Sequence, residues 1–247
     1  AAHGEFLRFV LAPGDNEEIF QMVFEAFNLA ERYQTPAIIM LDKFLSESSM
    51  PCGNLSADKF TIDRGKIADP VKLRKAKNYQ RYQLTDDGIS ERSLPGMVNG
   101  VYCANSDEHE YHGLVDESSS MRVWQVDKRL KKMDIASKMM PGPKLIGPKD
   151  AKTTIITWGS GKLPAQQAME KVNRNLESGI WNLEIKKNIN ILHFSYIWPM
   201  NIKAVSGALK SCGKSTLLIE QNATGQFQSL LKEQTGWEPT AYLRKYD

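Results

Sequence analysis

Two histidines and three carboxylates crowd into seven residues, DEHEYHG at 107–113. Imidazoles and carboxylates can hold a divalent metal when they converge, typically from more than one segment. His109 and His112 stand three apart, whereas two ligands on one helical face stand four apart, and nothing around them has helical periodicity. The expected role is a hydrogen-bonded loop anchor, and no metal ligand is assigned. Two other stretches raise phosphate chemistry. SCGKST (211–216) has Ala208 where a phosphate loop needs its first glycine, and it leaves a helix to enter a strand, the reverse of a phosphate cradle. It reads as a helix-to-strand turn. TTIITWGSGKLPAQQA (153–168) has the right order, so amides at Gly159–Gly161 could face a phosphate or carboxylate. GSG lacks the third glycine of a dinucleotide fingerprint, and simple chain reversal is the favoured use. No serine or cysteine stands in an elbow or triad context, so no catalytic residue is assigned.

The elements that carry these residues follow from apolar periodicity. FLRFVLA (6–12) is a strand candidate closed by Pro13 and Gly14. Asp15, with Glu18 three residues on, has the spacing of a helix N-terminal capping box. The helix reaches about Tyr33, with Ile19, Met22, Val23, Ala26, Phe27 and Ala30 on its apolar face. AIIML (37–41) reads as a strand buried on both sides of a parallel sheet. Residues 46–80 are polar and read as an extended connection. Arg81 to Arg122 is irregular for roughly forty residues, a length that in a compact domain is usually functional or disordered. Tyr82, Ile89, Leu94, Met97, Val98, Val101 and Tyr102 give it something to pack with, which favours function. Helical character resumes over 115–139, and PGPKLIGPKD (141–150) is a Pro/Gly-rich linker. From 151 the order is cleaner: strands at 153–158, 189–197, 215–222 and 239–246 alternate with helices at 164–176, 202–211 and 225–235, a small parallel-sheet domain.

Bulk composition excludes several classes. Hydrophobic residues make 41% and charged residues 25% of the 247, as in soluble globular proteins. A net charge of +3, with basic clusters at Lys72–Lys77, Lys128–Lys132 and Lys186–Lys187 read as solvated faces, predicts no nucleic-acid partner. No apolar run reaches the ~20 residues of a membrane span. Cys52, Cys103 and Cys212 lie far apart, which argues against a zinc or iron–sulfur site within this chain and suits a reducing, cytoplasmic setting. The chain starts without Met or a signal-peptide pattern and is expected to be a piece of something longer.

HGEFLRFVLAPGDNEEIFQMVFEAFNLAERYQTPAIIMLD (3–42) resembles the pyrimidine-binding domain in the alpha subunits of 2-oxoacid:ferredoxin oxidoreductases, which often read HGEFP, then APGD-x-EE, then AFNLAE-x-YQ-x-P. RYQLTDDGISERSLPG (81–96) resembles the R-Y-x-x-T-x-D-G-I-S-x-R-x-x-P-G of the 2-oxoglutarate branch, and DEHEYHG is similar to its E-H-D-E-x-G, with Glu110 and Tyr111 where the branch prefers Asp and Glu. The WGS turn and the elements after it resemble core domain II of the family. The resemblance implies an α/β fold. The C-terminal part of a thiamine-diphosphate pyrimidine-binding domain (1–80) and an irregular connecting segment and linker (81–150) precede a transketolase C-terminal-like parallel-sheet domain (151–247). It also implies oxidative decarboxylation of a 2-oxoacid, 2-oxoglutarate above all, or the reverse carboxylation. Thiamine diphosphate with Mg would lie at the interface with a beta, diphosphate-binding subunit. An iron–sulfur cluster in a partner would pass electrons to ferredoxin, coenzyme A would take the acyl group, and the whole would be a hetero-oligomer. The family's Y-P-I-T-P segment, its activating Glu and the GDG…N motif of the other half are not in this sequence, so the piece alone is expected to be inactive. The family binds the oxoacid carboxylate through an Arg near HGE; Arg8 is the candidate here, His3 a second, and Leu7 replaces the usual Pro. The forty-residue segment is expected to cover the cofactor cleft or a subunit contact. The alternative is a non-catalytic scaffold or oligomerisation protein of the same fold.

Overall fold

The computed structural model describes residues 4–53, 55–177 and 189–246, and the side chains of 173–177 fall outside that description. By contact density the chain forms two compact units, each drawn from several segments: 1–9, 25–37 and 60–136 in the first, 10–24, 38–59 and 137–247 in the second. These cuts fall elsewhere than residues 80 and 150.

The first elements are β1 (Phe9–Leu11), α1 (Asn16–Tyr33) and β2 (Ala37–Ile39). The capping box forms: Glu18 N donates to Asp15 Oδ1 at 2.8 Å, and Gly14 N donates back to Glu18 Oε2 at 2.8 Å. The buried face of α1 is Met22, Ala26, Leu29 and Tyr33, whereas Val23 and Phe27 are 39% and 71% exposed. Met22 and Ala26 lie on the expected face, and the rest of the buried stripe runs through Leu29 and Tyr33 instead. The strand expected over 37–41 is shorter and is an edge strand, in a three-stranded sheet of order β2-β1-β6, with β6 at Tyr196–Trp198; Ile38, Met40 and Leu41 are exposed, not buried on both sides.

The connection expected to be extended carries α2 (Lys43–Glu47), a 3-10 turn (Ala57–Lys59) and α3 (Pro70–Lys75). Asp42 and Asp69 cap the two short helices through Leu45 N and Val71 N, and Pro70 starts the second. Within 81–150, residues 81–118 are irregular, with isolated bridges at Ile67–Arg92 and His109–Val115. The remainder is not a linker throughout. It contains the 21-residue α4 (Ser119–Met139) and β3 (Lys144–Ile146).

The second unit is built on a five-stranded sheet of order β3-β5-β4-β7-β8, where β4 is Thr153–Trp158, β5 Ile189–Phe194, β7 Ser215–Glu220 and β8 Ala241–Arg244; β6 (Tyr196–Trp198) belongs to the smaller sheet. Neighbouring pairs are parallel except β3 with β5. The helices are α5 (Lys162–Glu177), α6 (Ile202–Lys210) and α7 (Gln226–Thr235). Alternate residues along the strands face opposite sides. Ile156, Leu192 and Leu218 pack with Val205, Leu209, Phe227 and Leu231 of α6 and α7, while Ile155 and Ile191 pack with Ala165 and Met169 of α5. Helices on both faces explain the continuous apolar runs of β4 and β5. SCGKST lies between α6 and β7, as its order implied, and Gly213 N donates to Thr154 Oγ1 at 2.9 Å.

Candidate functional site

In the second unit the chain order reverses between β4 and β7: β5 lies on one side of β4, β7 and β8 on the other. A crevice outside the carboxyl ends of two such strands is where open parallel sheets bind ligands. A cavity of about 460 Å³ opens there, walled by Leu41, Leu45, Ala165 and Leu243, with Ser160 and Gln221 at its polar side. The turn Gly159–Gly161 opens α5 at this point. Ser160 donates its hydroxyl to the Asp42 carboxylate and lies 2.9 Å from Gln221 Oε1. A carboxylate of the chain therefore already stands beside the turn. Beside it, Glu220 is 2% exposed and accepts from Phe227 N (2.8 Å) and Gln228 N (3.0 Å), capping α7.

Beneath the turn lies a closed network of ionisable groups. Lys162, the first residue of α5, is 6% exposed, and its Nζ is 2.5 Å from both Asp15 Oδ2 and Glu18 Oε1. Glu18 Oε2 also accepts from Ser195 Oγ at 3.2 Å, Ser195 Oγ is 3.3 Å from His193 Nδ1, and His193 Nε2 donates to Gly159 O at 3.0 Å. Burial alone pushes both carboxyls up, but the Lys162 hydrogen bonds and charge, with backbone amides (Glu18 and Glu17 for Asp15, Gly14 for Glu18), hold Asp15 and Glu18 below their usual range. Burial pulls Lys162 down, yet its two carboxylates outweigh it and leave it raised. Burial lowers His193, with Glu18 opposing in part. Gly14 is required by close approach: a Cβ there would stand 2.5 Å from Lys162 Cδ and 2.7 Å from His193 Cε1.

The acid–histidine segment of the first unit is held from within. Glu108 takes Arg129 bidentately at 3.1 and 2.7 Å, and Arg122 at 3.6 Å. Glu110 Oε1 accepts from His112 N and Leu114 N, its Oε2 lies 2.7 Å from His112 Nδ1, and His112 Nε2 is 2.8 Å from Asn78 Oδ1. His109 stacks on Tyr82 with ring centres 4.0 Å apart. The Arg129 hydrogen bond lowers Glu108 against its burial; for Glu110, burial is outweighed by the His112 and Leu114 hydrogen bonds. Among the described residues no His, Cys, Asp or Glu group is arranged to hold a metal, and no helix is long and apolar enough to cross a membrane. The expected anchoring by hydrogen bonds and salt bridges is what these distances describe.

Of the two substrate-binding candidates, His3 lies outside the described residues. Arg8 is half-buried, its guanidinium 4.6 Å above the Phe6 ring. Lys128 and Lys132, read from sequence as part of a solvated face, are instead half-buried. The Lys162 network was missed entirely; the one signal for it was a histidine and a lysine set at the edges of otherwise apolar elements.

Comparison with known proteins agrees over the whole chain. Residues 2–128 match the family described as pyruvate flavodoxin/ferredoxin oxidoreductase, thiamine diphosphate-binding. The chain is 35% identical, over its full length, to the 2-oxoacid:ferredoxin oxidoreductase subunit alpha of Saccharolobus solfataricus and spans 37% of that protein. It is 24% identical over 99% of its length to the 2-oxoglutarate synthase subunit KorA of Methanothermobacter thermautotrophicus, covering 60% of it. The structure superposes on a 2-oxoglutarate:ferredoxin oxidoreductase from Magnetococcus marinus, solved with 2-oxoglutarate, coenzyme A and succinyl-CoA bound. The TM-score is 0.82 at 26% identity, over 99% of this chain and 40% of that one. With residues 2–128 of 247 matched, the chain belongs to the pyruvate flavodoxin/ferredoxin oxidoreductase thiamine diphosphate-binding family.

Proposed function

We propose that this chain is part of the alpha subunit of a 2-oxoacid:ferredoxin oxidoreductase that acts on 2-oxoglutarate. The observation that carries the reading is likeness over the whole chain, in sequence to a 2-oxoacid:ferredoxin oxidoreductase alpha subunit and in fold to a 2-oxoglutarate:ferredoxin oxidoreductase. Residues 1–80 would be the C-terminal part of the pyrimidine-binding domain, 81–150 its connection, and 151–247 core domain II. The RYQLTDDGISERSLPG segment favours 2-oxoglutarate over other oxoacids.

Thiamine diphosphate supplies the carbanion chemistry that lets a 2-oxoacid lose its carboxylate. The described residues do not by themselves fit its diphosphate, because the glycine turn opening α5 presents Ser160 to the Asp42 carboxylate. A beta subunit is therefore proposed to hold the diphosphate with Mg, and a partner's iron–sulfur cluster to carry electrons to ferredoxin. Arg8 has a role on this chain's side. Stacked on Phe6, the guanidinium keeps its edge N–H groups for a carboxylate, which it binds bidentately.

The test uses the complete protein with its partner subunits and coenzyme A, and follows ferredoxin reduction with 2-oxoglutarate, pyruvate and a branched-chain 2-oxoacid. The highest kcat/KM is expected for 2-oxoglutarate, and Arg8→Ala should raise its KM by roughly tenfold or more, the loss of one charged bidentate contact. Reduction by none of the three would overturn the proposed activity; a preference for pyruvate would overturn the substrate; an unchanged KM in Arg8→Ala would remove that residue from the site.

A further inference from the structure

Lys128 and Lys132 sit one turn apart on α4, and among the described residues neither forms an ion pair. Lys128 Nζ lies 2.8 Å from Tyr82 O and 2.5 Å from Ser90 Oγ. Ser90 donates its own hydroxyl proton to Gln83 O at 2.7 Å, so its oxygen is an acceptor for the lysine. Lys132 Nζ lies 3.4 Å from Gln34 O, and Gln34 Oε1 accepts from Arg81 Nη2 at 2.7 Å. The charges that shift Lys128 most are Arg81, Lys132 and Arg129, with Asp87, itself 2.6 Å from Lys66, opposing; Asp86, Asp127 and Lys131 share its cavity.

An ammonium has three N–H donors; an amine has two and a lone pair. Lys128 has two acceptors, which suits the amine and leaves the lone pair free. Burial and the three neighbouring cations also disfavour the ammonium, lowering Lys128 to about 7. The side chain lines a cavity of about 410 Å³ together with Leu84, Thr85, Asp86, Trp124 and Asp127, so an electrophile has a place to stand.

We infer that Lys128 is a site of covalent acylation, where the neutral amine takes an acyl group from an acyl thioester. The nitrogen lone pair attacks the thioester carbonyl carbon, the C–N bond forms and the C–S bond breaks. The thiolate leaves with the electron pair, and the proton lost from nitrogen makes it a thiol. No oxidant or reductant is involved. The amide that results cannot take up a proton, so it can no longer add a charge to the crowd of Arg81, Lys132 and Arg129, and its remaining N–H keeps one of the two acceptors. The thioester is the class of product that the proposed function makes, and the inference rests on that reading only for this source.

The experiment incubates the intact protein with acetyl-CoA at pH 7.5 and follows each lysine by peptide mass spectrometry. Lys128 should acetylate about tenfold faster than Lys43 and Lys232, whose side chains are 83% and 62% exposed. Its rate should level off above about pH 8, while the lysine of a model peptide keeps gaining about tenfold per pH unit towards ~10.4. Lys132→Met, which removes a neighbouring cation, should move the levelling upwards. Lys128 reacting no faster than Lys43, or a Lys128 rate still rising tenfold per unit from pH 8 to 10, would overturn the inference. The readout does not depend on ferredoxin reduction: acetylation at Lys128 in a protein that reduces no ferredoxin would leave this site standing and the proposed activity refuted.

Discussion

Two regions of this molecule bury lysines, and they do so to opposite ends. In the second unit Lys162 meets two carboxylates at 2.5 Å, and all three groups are held in their charged forms. In the first unit Lys128 and Lys132 hydrogen-bond only to neutral oxygens, and both are lowered, to about 7 and about 8, by burial first and then by Arg81. Burial disfavours the ammonium in both places. What differs is the partner: a carboxylate turns a buried lysine into a fixed cross-link, and a carbonyl leaves it a base. The first arrangement fastens the Pro13–Asp15 turn to the start of α5. In the second, amines on α4 hold Tyr82 O and Ser90 Oγ of the irregular stretch, and Gln34 O, with groups that can lose their charge near neutral pH.

The contrast breaks most severely at Lys162. Lys162→Met leaves Asp15 and Glu18 buried without their cation and should cost about 3–5 kcal/mol, the usual price of stranding a buried charge. Chemical denaturation at pH 7 measures it. Because the folded carboxyls are held below their unfolded values, the network's contribution is present above pH ~5 and is lost as pH falls through ~4 and below. The variant's deficit should therefore shrink in acid.

Lys128→Met should show a smaller effect with the reverse trend. The folded pKa of Lys128 is below its unfolded value, so the cost of burying the ammonium is complete below pH ~7 and fades by ~10.4. Relative to the parent, the variant should be most favoured at pH 6 and lose about 1–3 kcal/mol of that advantage by pH 10, after allowance for solvent screening. Denaturation at the two pH values decides it; no difference between them would remove the lowered lysine from the account.

Much of the fold was legible because it depends on short-range pattern. The apolar runs of β4, β5 and β7, and Asp15 with Glu18, lie within single segments and fix elements without outside help. β3 was hidden because Pro141, Pro143, Gly147 and Pro148 surround its three residues, and only pairing with β5 makes it a strand. The exposure of Ile38 on β2, and of Met40 just after it, follows from the strand's place at a sheet edge, which apolar runs do not encode. The ionisable sites were the least legible. Lys162 lies 147 residues from Asp15, and Lys132 lies 98 from Gln34, so their partners emerge only from tertiary structure. The acid–histidine cluster was readable as an anchor because its own spacing ruled out helical ligation, and Glu110 with His112 closes locally.

The contrast between the regions reduces to the charge on two amines, and NMR titration of the Cε protons and carbons reads it directly. Lys128→Met and Lys162→Arg identify the two signals in protein labelled at lysine. Lys128 is expected to titrate near 7 and Lys162 to remain charged beyond the ordinary lysine range. A Lys128 signal that titrates near ~10.4, the value of lysine in a model peptide, or a Lys162 signal that loses its proton below that value, would contradict the opposite fates assigned to them.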